Sequence, residues 1–116
     1  MDYTELLRRL AIDDGALAED LADAMPQDLE VDAKTLALAR IGALVALGAA
    51  EPSFSSQIDA AVSAGATAKE IVHLLVGLTS VVGVPRVVAA APKIAMGLGY
   101  DLYDEDTGRI AGTART

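Results

Sequence analysis

The chain has no cysteine and no tryptophan, a single histidine, and only one phenylalanine and three tyrosines in 116 residues. Without thiols it can form no disulfide and no thiolate metal site, and it has no thiolate with which to reduce a peroxide. One histidine, His73, with no second ligand at metal-binding spacing, is a poor basis for a metal centre. Basic residues are also scarce: nine Lys and Arg stand against seventeen Asp and Glu, for a formal charge of −8. A nucleic-acid surface needs clustered cations to displace counterions, so that class of partner is not expected. Long apolar runs are missing too. The longest uncharged stretches, Ile41–Ala50 and Leu74–Pro85, fall well short of the roughly 20 residues that a bilayer requires. The start, M-D-Y-T-E, is too acidic for a signal peptide. With no disulfide, a cytoplasmic protein is expected.

What is present is small and aliphatic. Hydrophobic residues make up 53% of the chain, and Ala, Leu and Val supply most of them, a composition suited to closely packed helices. The charge is unevenly spread. Residues 1–34 carry ten acids and three bases, and residues 35–100 carry only three acids and four bases. The remaining residues carry four acids and two bases. The nearly neutral, apolar middle has few polar groups with which to cover itself, so a homo-oligomer is expected.

The pattern is helical throughout, giving an all-α fold of about six helices in a single domain. Acidic helices occupy residues 1–30, the core residues 31–103, and a tail residues 104–116. A first helix is expected from Thr4 to Ile12, with Leu6, Leu7 and Leu10 on one face. A second, capped by Asp13 or Asp14, runs from Gly15 to Met25 with a Leu17, Leu21 and Ala24 stripe; Pro26 ends it and Gln27–Val31 links onward. Asp32 caps a third helix that reaches about Ala50. Pro52 fits the first turn of a fourth, which continues to Ala64. Gly65 then supplies a left-handed stop. Thr67 with Glu70 three residues later forms a capping box that opens a fifth helix to about Val82. After the Gly83-Val84-Pro85 break a sixth runs to about Leu98, with a kink or break near Ala90 from Pro92. The β-branched Val81–Val88 stretch lacks strand alternation and is taken as helical. Gly97-x-Gly99 ends a helix rather than following a strand, so it carries no dinucleotide signal.

The most informative stretch is Gln57 to Val72, Q-I-D-A-A-V-S-A-G-A-T-A-K-E-I-V. It resembles H-x-x-A-A-L-x-A-G-A-T-x-E-E-I of the carboxymuconolactone decarboxylase-like proteins, relatives of the alkyl hydroperoxidase D family. D-A-K-T-L-A-L-A-R at residues 32–40 and V-V-G-V-P-R-V-V-A-A-A-P at residues 81–92 extend the resemblance over about Val31 to Tyr103. It implies an alkyl hydroperoxidase D-like helical bundle, assembled as a trimer or hexamer and needing no cofactor. In the thiol-active branch C-x-x-C-x-x-x-H would place cysteines at Ala50 and Ser53 and the histidine at Gln57. An acidic residue on the preceding helix would fall near Ala37 or Leu38.

Several residues bear on what chemistry remains. Gln57 has no titrating proton; it is either an amide satisfied by its neighbours or one that contacts substrate. Ser53 is a weak nucleophile without an adjacent base and is either a first-turn residue or a binding hydroxyl. Glu51 either answers the dipole of the fourth helix or acts as a base. His73 lies with Gly77 and Ser80 on a polar strip. A histidine of the decarboxylase branch falls nearer Gly77, so its role is not transferred. Arg40 either solvates its head or grips a substrate carboxylate, and Arg86 is a candidate of the same kind. Two functions follow. One is a family member without thiol redox chemistry, either a degenerate assembly or an oligomer that binds a small molecule such as a carboxylated ligand. The other is a cofactor-free decarboxylase or isomerase of a small carboxylated lactone, with Glu51 or His73 handling protons.

Overall fold

The computed structural model describes residues 2–12, 15–22 and 29–100. The chain divides into two compact units, Met1–Val31 and Asp32–Thr116. Among the described residues the regular elements are six helices, and none is long and apolar enough to cross a membrane.

The first unit holds α1 (Tyr3–Ala11) and α2 (Gly15–Ala22). An Arg8–Glu5 pair at 2.6 Å lies along α1, and Arg9 reaches Asp20 of α2 at 3.1 Å. The expected apolar face of α1 is only partly covered, since Leu6 is half-buried while Leu7 and Leu10 are exposed. On α2 Leu17 is buried and Leu21 exposed. The Asp13 or Asp14 cap, Ala24, the helix end at Met25 with Pro26, and the tail all lie outside the described residues.

The second unit is a four-helix bundle of α3 (Ala33–Leu47), α4 (Glu51–Ser63), α5 (Ala68–Val82) and α6 (Val84–Leu98). Each helix buries three apolar residues at helical spacing: Ala37, Ile41 and Val45; Phe54, Ile58 and Ala61; Ala68, Ile71 and Leu75; Ala90, Ile94 and Leu98. The tightest pairings are α3 with α4 and α4 with α6. Small side chains permit this closeness. At Gly97 a Cβ would stand 2.6 Å from Ile58 Cδ1.

Local chemistry sets most of the helix ends. The Asp32 side chain accepts from the Thr35 amide at 2.7 Å and caps α3. At α5 the capping box is complete: Glu70 N–H donates to Thr67 Oγ1 at 3.1 Å, and Thr67 N–H to Glu70 Oε1 at 3.0 Å. Lys34 joins that box through a 2.7 Å pair with Glu70. Gly65, at φ 103°, closes α4, with Ala66 N–H donating to Ala61 C=O at 2.9 Å.

Two expectations are corrected. The third helix does not reach Ala50. Gly48 takes a left-handed conformation (φ 67°), and the amides of Gly48 and Ala49 turn back to the carbonyls of Val45 and Leu44. The sixth helix is not broken near Ala90. It runs without interruption through Pro92, because Pro92 and Val88 are both exposed and water can serve the Val88 carbonyl that proline leaves without a donor.

Candidate functional site

The Gly48 stop is what makes the site. Because α3 ends at Leu47, a three-residue turn, Gly48-Ala49-Ala50, returns the chain as α4. Ala50 is the N-cap of α4 but has no side-chain acceptor to offer, and the Ser53 amide donates to its carbonyl at 3.1 Å. Glu51 stands in the first turn of α4 and its carboxylate accepts from the Ser55 hydroxyl.

Helix α6 places two cations at this turn. Lys93 Nζ donates to the Ala49 carbonyl at 2.8 Å and lies 6.0 Å from the centre of the Phe54 ring. The Arg86 guanidinium fills the space that a side chain at Gly48 would take. Both charges sit where the carbonyls at the end of α3 present the negative pole of that helix.

Beside the turn lies an open groove of about 420 Å³ lined by Leu44, Pro52, Ser53, Ser56 and Gln57. Ser53 and Gln57 are one helical turn apart on α4 and so share a face. Gln57 is half-buried, and its Oε1 is buried with no hydrogen-bond partner. A second concavity of about 410 Å³ lies between α5 and α6, lined by Val72, Leu75, Ala91, Ile94, Ala95, Leu98 and Tyr100. Among the described residues its only titratable lining group is the Tyr100 phenol.

The structure brings together some of the candidate residues and separates others. Gln57 and Ser53 line one groove. Glu51 is adjacent in the chain but points its carboxylate to Ser55. Arg40 is exposed on α3, one turn before Leu44 on the same face, and is not part of the lining. Arg86 lies against Gly48 from α6 and is not part of the groove lining. His73, Gly77 and Ser80 are all exposed on α5, away from the lining. Ala37, near the acid position of the thiol-active branch, is buried in the core, and Leu38 is half-buried. Among the described residues no group of three or more His, Asp or Glu is placed to hold a metal ion.

Sequence reasoning missed Ser56, Leu44 and Lys93, and took Pro52 only as a helix-start residue. Ser56 is signalled only by its place beside Gln57. Lys93 is the one charge within α6 beyond Arg86, which is a usable sign that it serves a fixed partner.

A cysteine-free helical bundle with a polar groove at the turn between two adjacent helices is the class of protein that fold and site define. The family model described as the carboxymuconolactone decarboxylase family matches residues 15–95. The chain belongs to that family, and its bundle is alkyl hydroperoxidase D-like. The match begins at Gly15, upstream of the Val31 boundary at which the motif resemblance starts. Searches of curated proteins and of solved structures returned no match.

Proposed function

We propose that the protein is a carboxymuconolactone decarboxylase family member that has no thiol redox chemistry and binds a small molecule in the α3–α4 groove, as a homo-oligomer. The observation that carries this reading is Gln57. It stands where the thiol-active motif has its histidine, it lines a groove within the size range of small-molecule sites, and one of its polar atoms lacks a partner. Ser53, at the second thiol position, lines the same groove. Oligomerisation is supported by large apolar side chains left at the surface of α5 and α6, among them Val76 at 70% exposure and Val88 at 62%.

The other reading, a cofactor-free decarboxylase or isomerase of a small carboxylated lactone, needs a proton-transfer group and a carboxylate anchor at the substrate. Among the described residues the groove lining offers hydroxyl and amide groups but no titratable side chain and no cation, which supports the binding reading. The test is a thermal-shift screen of small neutral and carboxylated compounds on the wild type and Gln57→Leu, with every hit assayed for turnover. The binding reading expects hits whose stabilisation is lost in Gln57→Leu and which are not consumed. Turnover that disappears in both Arg40→Ala and Gln57→Ala would establish the enzyme instead. Light scattering on the wild type and Val76→Glu reads the assembly: a multiple of the chain mass that falls in the variant is the expected result.

A further inference from the structure

We infer that the α5–α6 face is where two copies of this chain meet about a two-fold axis, the apolar ridge of each α6 seated in the hollow between α5 and α6 of the other. The inference rests on the homo-oligomer reading and names its interface. It does not depend on what the α3–α4 groove binds.

Helical spacing builds the face. On α6, Val84, Val88, Ala91, Ala95 and Leu98 follow one another at steps of three or four residues and form one stripe. Val84 and Val88 stand 58% and 62% exposed, while Ala91, Ala95 and Leu98 wall the concavity of about 410 Å³. On α5, Val72 walls the same concavity, and Val76 lies one turn further along, largely exposed. Ridge and hollow thus lie side by side on one face. Such a surface can be complementary to itself, and one patch used twice closes as a two-fold pair. The small side chains of Ala91 and Ala95 let a second helix come close.

Charge selects a second copy as the occupant. The chain carries a formal −8, so two copies approach at least cost where neither presents charge. The charges of the two helices are held off this stripe. Glu70 pairs with Lys34, Lys93 donates to the Ala49 carbonyl, and Arg86 lies against Gly48. Lys69 stands at the start of α5, on the rim, where interfaces are ordinarily polar. A partner that recognised this chain by its acidity would find no acid on the stripe to grip. The size is also adequate. Two helices of 15 residues side by side present a face about 22 Å long and about 20 Å wide. Its corrugated accessible area exceeds that projection and comes into the range of about 600 Å² per partner at which specific interfaces begin. The Val88 carbonyl, which Pro92 leaves without a helix donor, keeps a water at the seam, as association faces commonly do.

The test reads the mass of the full chain by light scattering. Val88→Glu should lower the mass about two-fold or more, because it separates the two halves of an isologous contact. Leu47→Glu makes the same kind of change at a residue 75% exposed on α3, and should leave the mass of the wild type unchanged. Crosslinking gives a second measurement that does not depend on the charged variant folding. The chain has no cysteine, so Val88→Cys offers a single thiol near the middle of the face. A short bis-maleimide should convert Val88→Cys to a covalent dimer and leave Leu47→Cys uncoupled. An oligomer whose mass survives Val88→Glu, falls equally in Leu47→Glu, or does not couple through Val88→Cys assembles by another face; any of these overturns the inference and leaves the homo-oligomer reading standing. A wild type of single-chain mass overturns both.

Discussion

The closeness of α4 and α6 depends on one missing side chain, and Gly97→Ala tests it. A Cβ at Gly97 would lie 2.6 Å from Ile58 Cδ1, well inside contact distance, while Ile58 Cβ and Cγ1 stand at a comfortable 3.7 Å. Ile58 is completely buried, so its terminal methyl has little room to retreat. Overpacking of a filled core costs about 1–3 kcal/mol. Against that, Ala is favoured over Gly inside a helix by about 1 kcal/mol. The net expectation is a loss of up to roughly 2 kcal/mol, opposite in sign to the propensity effect alone.

A second substitution isolates the cause. Ile58→Val deletes Cδ1 and by itself should cost about 0.5–1.5 kcal/mol. In that background the colliding atom is gone, so Gly97→Ala should become neutral or stabilising. The two changes should therefore couple by about 1–3 kcal/mol, in the range seen for residues in contact. Urea denaturation of the four proteins, compared at constant slope, measures the cycle. Additivity within about 0.5 kcal/mol would refute the argument, as would a Gly97→Ala chain more stable than the wild type.

Other substitutions probe the helix ends. Thr67→Ala removes the acceptor of the Glu70 amide and should lower stability by about 1 kcal/mol in the same urea assay. Gly48→Ala forces a side chain into a left-handed backbone and against the Arg86 guanidinium; a loss of at least about 1–2 kcal/mol is expected, with Gly48→Asn less harmful on thermal melting. Acid should weaken the fold through two carboxyls. The Lys34 ammonium, followed by the Thr67 amide, holds Glu70 below the usual carboxylate range, and the Thr35 amide does the same for Asp32. Both groups bind protons more readily when unfolded, so their contribution is present above about pH 4–4.5 and fades as pH falls through the lowered folded values. Lys34→Met should flatten the Glu70 part of that profile, and an unchanged urea midpoint between about pH 5 and 2 would contradict it.

The helix boundaries that the sequence made legible are those set by residues within one turn of the boundary. Asp32, Thr67 with Glu70, Pro52 and Gly65 each act on backbone groups three or four positions away, so spacing alone reveals them. Gly48 was hidden because it sits in an apolar run that continues helical periodicity on both sides. Nothing local says that it, rather than Gly42, adopts positive φ. Whether Pro92 breaks the helix was hidden for a related reason: it depends on whether the Val88 carbonyl sees water, which only the packed structure decides. The groove was half legible. Ser53 and Gln57 share a face by their spacing, and the motif resemblance singles out both positions. Leu44 comes from α3, and Lys93 reaches the turn from 44 residues away, so neither is written in the neighbourhood of the motif.

Replacing sulfur at this turn changes the kind of chemistry available rather than merely its rate. The first turn of a helix is where a thiol ionises readily, because backbone N–H groups stabilise the thiolate. The same surroundings do little for a serine, whose hydroxyl lies far from any pKa at which those groups could ionise it. They leave Ser53 as a protonated, directional donor. Gln57 completes the change, since an amide holds its donor and acceptor fixed where an imidazole would exchange a proton. With Ala50 contributing no polar side chain, the positions that the motif resemblance aligns with the thiol-active site carry hydrogen-bonding groups on Ser53 and Gln57 alone, which suits the binding role proposed above. The braces from α6 fit that role. Lys93 fastens the turn through the Ala49 carbonyl while Arg86 packs against Gly48, and a turn held from outside keeps the first turn of α4 in place without requiring a bound ligand to do so.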